Sequence, residues 1–173
     1  SYSGDVFVSN SGSISVSGAS YGVGVWMNAT SGMAQLNNSG VIRVTAPVDW
    51  EIAVRGGGED DTIVNTGRIY GAVSTGFGDD SFINGSGGLW QVLNSATELG
   101  EGDDSLSNAG TVRIDSGDLI SFGNGNDSLT NATGGLVDVV GGTIAMDAGD
   151  DTITNFGTFR LTGGTVTMGA GTN

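Results

Sequence analysis

Cysteine, histidine and lysine are all absent from this chain. Without cysteine there is no disulfide and no thiolate metal site. The absence also suits an exported protein that crosses a membrane unfolded, where premature disulfides hinder passage. Without histidine or lysine the usual general bases and the amine nucleophile are missing. The cations are five arginines, set against 19 acids, for a net charge of −14. Such a surface repels a phosphate backbone, so nucleic acid is an unsuitable partner and cations are suitable ones. Proline occurs once, at Pro47, and the 33 glycines follow no Gly-X-Y period, which excludes collagen. No run of 18 apolar residues is present, so no helix is expected to span a membrane. A basic-then-apolar leader is missing too, and the chain reads as a mature or engineered fragment beginning at Ser1.

What is present is a repeat. A glycine-rich approach, an acidic or Asn residue, an Asp, a Ser or Thr and an apolar residue recur five times. The copies are Asp60-Asp61-Thr62-Ile63, Asp79-Asp80-Ser81-Phe82, Asp103-Asp104-Ser105-Leu106, Asn126-Asp127-Ser128-Leu129 and Asp150-Asp151-Thr152-Ile153. The second acids, Asp61, Asp80, Asp104, Asp127 and Asp151, are separated by 19, 24, 23 and 24 residues. A period in this range marks a solenoid, in which each unit buries its apolar face only against the next. Two residues after each apolar position stands an Asn: Asn10, Asn38, Asn65, Asn84, Asn108, Asn131 and Asn155. Most are followed at the second place by Gly, a bend that suits left-handed backbone.

Between bends the chain alternates apolar and polar residues with period two, as in Thr111-Val112-Arg113-Ile114 and Leu119-Ile120-Ser121-Phe122. There is no helical pattern. The expectation is an all-β, right-handed parallel β-helix of about seven coils with three short strands each, a rod about 34 Å long. Three apolar columns are expected to fill it. The first runs through Val8, Leu36, Ile63, Phe82, Leu106, Leu129 and Ile153. The second runs from Ile14 and Val16 through Ile69, Trp90 and Val112 to Phe159 and Leu161. The third runs from Val23 and Val25 through Leu99, Ile120 and Phe122 to Val166 and Met168. The Asn residues are expected to form an inward amide ladder; the alternative is seven separate left-handed turns. Residues 1–173 read as one segment, with coils lacking acidic corners over 1–55 and coils carrying them over 56–173. The ending Gly169-Ala170-Gly171-Thr172-Asn173 reads as the start of another corner, as in a fragment of a longer array.

Twelve of the 19 acids lie in or beside the corners. Stacking brings equivalent carboxylates one strand spacing apart, and something must offset their repulsion. Gly76-Phe77-Gly78-Asp79-Asp80-Ser81-Phe82 and Gly123-Asn124-Gly125-Asn126-Asp127-Ser128-Leu129 resemble part of the RTX nonapeptide, whose stacked turns hold calcium. That resemblance implies Ca2+ at Asp61, Asp80, Asp104, Asp127 and Asp151. It departs from the family in recurring once per coil rather than every nine residues. The other reading is a hydrogen-bonded Asx-type turn without metal.

No catalytic residues are assigned. A catalytic acid pair is unique and has divergent environments, whereas these pairs repeat. Arg43, Arg113 and Arg160 fall in one outward column with Tyr70, Gln91 and Asp138; Arg43, Tyr70, Arg113 and Arg160 are candidate binding residues, against the plainer reading of a solvated face. Trp26 and Trp50 are each expected in core or corner packing, with an exposed anchor as the alternative.

The phrases Asn-Ser-Gly-Ser-Ile, Asn-Ser-Gly-Val-Ile and Asn-Ala-Gly-Thr-Val, alternating with Gly-Asp-Asp-Ser-Leu, resemble passenger domains of monomeric (type V) autotransporters over nearly the whole chain. The resemblance implies a cell-surface or secreted bacterial β-helix, non-enzymatic here, acting as adhesin or stalk. Its implied partners are a host surface protein, a glycan or another copy of itself. A calcium-binding RTX-like module and a piece of a polysaccharide-active enzyme are the alternatives.

Overall fold

The computed structural model describes residues 4–18, 22–29, 31–45, 51–93 and 96–173. It is all β: three parallel seven-stranded sheets, with each coil giving one strand to each sheet. The first sheet stacks the strands that lead from the corner to the Asn, from Val6–Asn10 through Ser105–Asn108 to Thr152–Asn155. The second runs from Ser13–Ser17 through Thr111–Ile114 to Thr158–Thr162, and the third from Gly22–Trp26 through Leu119–Asn124 to Thr165–Thr167. The parallel β-solenoid and its three strands per coil are as the repeat predicts.

Register is strict. Val8 pairs with Leu36, Leu36 with Ile63, Phe82 with both Ile63 and Leu106, and Leu129 with both Leu106 and Ile153. The three columns therefore meet as one core, in which Leu36, Ile63, Phe82, Trp90, Leu106, Val112, Ile120 and Phe122 are fully enclosed. Val8, Ile14, Val16, Ile153, Phe159, Val166 and Met168, in the outermost coils, are only partly covered, and Leu161 is 48% exposed. A column residue needs a coil on both sides, and these have one among the described residues.

The short 19-residue step between Asp61 and Asp80 is absorbed at one point. Gly71 alone joins the second-sheet strand Arg68–Tyr70 to the third-sheet strand Ala72–Phe77. Its φ of 122° needs glycine. Its carbonyl accepts the buried Trp90 indole N–H at 3.2 Å, so the largest core side chain of the next coil has its polar atom satisfied.

The Asn residues do form the ladder. Asn10, Asn38, Asn65, Asn84, Asn108 and Asn131 each donate from Nδ2 to Oδ1 of the next Asn, through to Asn155, at 2.8 Å throughout. The second Nδ2 hydrogen goes to a main-chain carbonyl, for example Leu89 O from Asn65 and Leu136 O from Asn108, both at 3.1 Å. Left-handed backbone occurs in the two longer bends, at Gly87 (φ 81°) and Gly134 (φ 87°), but not at the glycines of the short bends. In the short bends after Asn38, Asn65, Asn108 and Asn155 the glycine two places on is there for space. A Cβ on Gly40 or Gly67 would land on the carbonyl oxygen of Gly12 or Gly40 in the coil before.

Candidate functional site: the acidic corner and the outer arginine column

Each corner sets two side chains side by side, one turned inward and one outward. The inward acids Asp61, Asp80, Asp104, Asp127 and Asp151 are all buried. Asp61 opens its first-sheet strand and the other four stand one residue before theirs; opposite Asp61 the two coils before it carry Ala34 and Val6. The early coils thus fill with apolar side chains the place that the later coils fill with carboxylates.

The carboxylates are tied to backbone. Asp80 Oδ1 accepts the Asp61 amide at 2.6 Å, Asp104 Oδ1 the Asp80 amide at 2.9 Å, Asp127 Oδ1 the Asp104 amide at 2.8 Å and Asp151 Oδ1 the Asp127 amide at 2.9 Å. The outward residues bond in the opposite sense along the rod. Asp60 Oδ1 accepts the Asp79 amide at 2.9 Å, Asp79 Oδ1 the Asp103 amide at 2.8 Å and Asp103 Oδ1 the Asn126 amide at 2.7 Å. Corner amides that would otherwise be unpaired are satisfied from the neighbouring coil. Asp61 differs in that its Oδ2 accepts the Gly57 amide at 2.8 Å.

One oxygen of each inner carboxylate is buried with no hydrogen-bond partner: Oδ1 of Asp61 and Oδ2 of Asp80, Asp104, Asp127 and Asp151. Burial raises the affinity of these groups for protons, against the lowering effect of the amide bonds. Asp80 and Asp104 are pushed up to about 7, Asp127 to about 6, and Asp61 is raised in the same direction. Neighbouring carboxylates add to the rise. The Thr75 hydroxyl beside Asp80 tempers it, though its proton is directed at the Leu99 carbonyl at 2.7 Å.

For metal, the aspartates named by the RTX resemblance line up in one column, but no group of three carboxylates able to share an ion occurs among the described residues. One oxygen of each is already committed to a backbone N–H. The geometry is that of hydrogen-bonded turns linked between coils.

The candidate binding residues do share one outward column on the second sheet, in the order Ser15, Arg43, Tyr70, Gln91, Arg113, Asp138, Arg160. They face one another. The Arg43 guanidinium lies 3.9 Å from the Tyr70 ring centroid. Asp138 accepts from Arg160 at 2.6 and 2.8 Å and stands 3.5 Å from Arg113, which also pairs with Asp115 at 2.8 Å. Asp115 accepts from Gln91 as well, at 2.9 Å. These side chains bind the next coil, which is why the carboxyls of Asp138 and Asp115 lie below their usual range, held by Arg160 and Arg113 respectively.

Trp26 is on the surface, 61% exposed, with the Arg55 guanidinium 5.4 Å from its ring. The core or corner packing expected of it is not what the structure shows: it follows inward Val25 in an alternating strand and so points out. Trp50 lies outside the described residues.

Two further features lie on the third sheet and at the last corner. One is a shallow groove on the third sheet, floored by Gly76, Gly100 and Gly123 and bordered by Phe77, Glu98, Glu101 and Ser121. The glycines stack because a Cβ on Gly100 or Gly123 would fall on the carbonyl oxygen of Gly76 or Gly100. The other is Asn173. It takes the inward corner position of the last coil, with Oδ1 accepting the Asp151 amide at 2.6 Å and Nδ2 donating to the Met168 carbonyl at 2.9 Å. Its signal was the match of Gly171-Thr172-Asn173 to Gly149-Asp150-Asp151.

No protein-family description, curated protein or solved structure matches the chain.

Proposed function

We propose that this chain is a non-enzymatic stalk or adhesive segment of a bacterial autotransporter passenger, displayed at the cell surface or secreted. The observation that carries this reading is the continuity of the rod. Seven coils stack, with the Asn ladder running along all of them and both corner ladders along the later ones, from Asp60 and Asp61 onward. Polar side chains are spent on joining each coil to the next rather than converging on one reactive point. A repeated, self-paired array of this kind transmits length and stiffness, and it leaves outward columns for contact. The absence of cysteine and the negative charge of −14 suit export and an extracellular setting. A host surface protein, a glycan or a second copy of the chain is the partner class.

The test is a pair of measurements on the purified rod. Immobilised rod is expected to retain cells or extracellular glycans above a blocked surface, and soluble rod to compete. Release of reducing sugar or unsaturated products from a panel of acidic and neutral polysaccharides would replace this reading with a polysaccharide-active one.

A further inference from the structure

The inner corner column has one member whose chemistry is unambiguous. Asn173 Oδ1 accepts an amide N–H, so its other atom is Nδ2, a donor, and that donor meets the carbonyl five residues earlier. Asp80, Asp104 and Asp127 hold the same place in their own coils, with Oδ1 taking the same kind of amide hydrogen. The residues five earlier, Thr75, Leu99 and Phe122, lie in the third-sheet strands Ala72–Phe77, Ala96–Glu101 and Leu119–Asn124. Oδ2 of each Asp is buried without a partner, at the corner position where Asn173 turns its Nδ2 to a carbonyl. A buried carboxylate oxygen with no donor, in a column of like carboxylates, is costly unless a proton neutralises it.

We infer that the inner corner column binds protons: Asp80, Asp104 and Asp127 stand as neutral carboxylic acids, each accepting an amide with Oδ1 and donating from Oδ2 to the carbonyl five residues before it. Each acid is thereby an analogue of Asn, and the column parallels the Asn ladder on the next bend. The charges that act on these three are carboxylates alone: Asp60, Asp61, Asp79, Asp103, Asp147 and Asp151, and one another. Glu59 and Glu101 stand exposed at the same edge, and no arginine is among the groups that shift them. Protonation removes the repulsion between stacked carboxylates without a counter-ion. Proton affinities pushed up to about 7 and about 6 agree with this geometry. The sign follows: folded values above the unfolded value of about 3.9 give stability that is full below pH 4 and falls as pH rises through 6 to 7. A rod of this kind tightens in mildly acidic surroundings and loosens in alkaline ones. The inference does not rest on the adhesive function.

The experiment compares thermal melts at pH 5 and pH 8, at fixed ionic strength with chelator present, for the full chain, Asp104→Asn and Asp103→Asn. The two variants remove one acid each, adjacent in sequence, and both keep the amide acceptor. The unaltered chain is expected to melt higher at pH 5. Asp104→Asn is expected to melt higher than the unaltered chain at pH 8 and to shrink the pH 5 to pH 8 difference; Asp103→Asn is expected to leave that difference nearly unchanged. Carboxyl carbon chemical shifts of the unaltered chain give a second readout, with Asp80 and Asp104 titrating near pH 7. Inner carboxyls that titrate below pH 5, or equal pH responses of the two variants, overturn the inference. So does a rise in melting temperature on adding Ca2+ at pH 8 that Asp104→Asn abolishes, because the unpartnered oxygens would then hold a cation rather than a proton.

Discussion

At the scale of single residues, the Asn ladder is the clearest case of one side chain doing several jobs. Asn108 accepts from Asn84 at 2.8 Å, donates to Asn131 at 2.8 Å and donates to the Leu136 carbonyl at 3.1 Å, all while fully buried. Asn108→Ala leaves the Asn84 donor and the Asn131 acceptor without partners, and a loss of roughly 2–4 kcal/mol in urea unfolding is expected. Asn108→Asp is expected to be worse at pH 8 than at pH 5, since an ionised Asp has no hydrogen for Asn131. The ladder was legible in the sequence because an inward amide must recur at a fixed offset from an apolar residue. Its glycines were read in part: left-handed backbone occurs at Gly87 and Gly134 in the longer bends, while in the short bends the structure shows a close approach of coils, which local sequence does not encode. Trp26 was misread because aromatic size argues for burial, while the phase of its strand argues for exposure, and the phase prevails.

At the scale of strands and columns, neighbouring coils are joined by two kinds of acid with opposite pH responses. Asp138 is 2% exposed beneath Arg160 and Arg113, and its folded proton affinity is lowered chiefly by the Arg160 hydrogen bonds. A depressed value gives stability that is present above the unfolded pKa of about 3.9 and is lost as pH falls through the folded value. The inner corner acids, with raised values, act the other way between pH 4 and pH 7. The stability profile is therefore expected to peak near pH 4–5, lower than the usual range of about pH 5–8. A set of urea titrations from pH 3 to pH 9 checks this. Asp138→Ala is expected to steepen the alkaline side relative to the acid side, with a smaller overall loss than Asn108→Ala, because its arginine partners are 41% and 57% exposed and solvent screens the pair. The column of Arg43, Tyr70, Gln91, Arg113, Asp138 and Arg160 was visible from the sequence as a shared offset after each Asn. That its members pair with one another was not, because pairing depends on which coil lies next to which.

At the scale of the whole molecule, stability belongs to the stack. Each coil is too small to bury its own apolar face, so the free energy resides in interfaces between coils. Leu106 is 1% exposed and lies between Phe82 and Leu129, with a coil on either side. Val8 is partly buried and pairs with Leu36 on one side among the described residues. An aspartate at 106 puts a carboxylate in the middle of two interfaces at once, with no amide in reach of the kind that serves the corner acids, and costs several kcal/mol. An aspartate at 8 disturbs one interface and has solvent within reach. Leu106→Asp is therefore expected to lower the melting temperature far more than Val8→Asp and to raise hydrogen exchange in the coils on both sides of it. Val8→Asp is expected to raise exchange only in the first coils, while the central Asn ladder stays protected. Equal losses from the two variants would mean that the rod unfolds as one indivisible unit, in which position along the stack carries no weight.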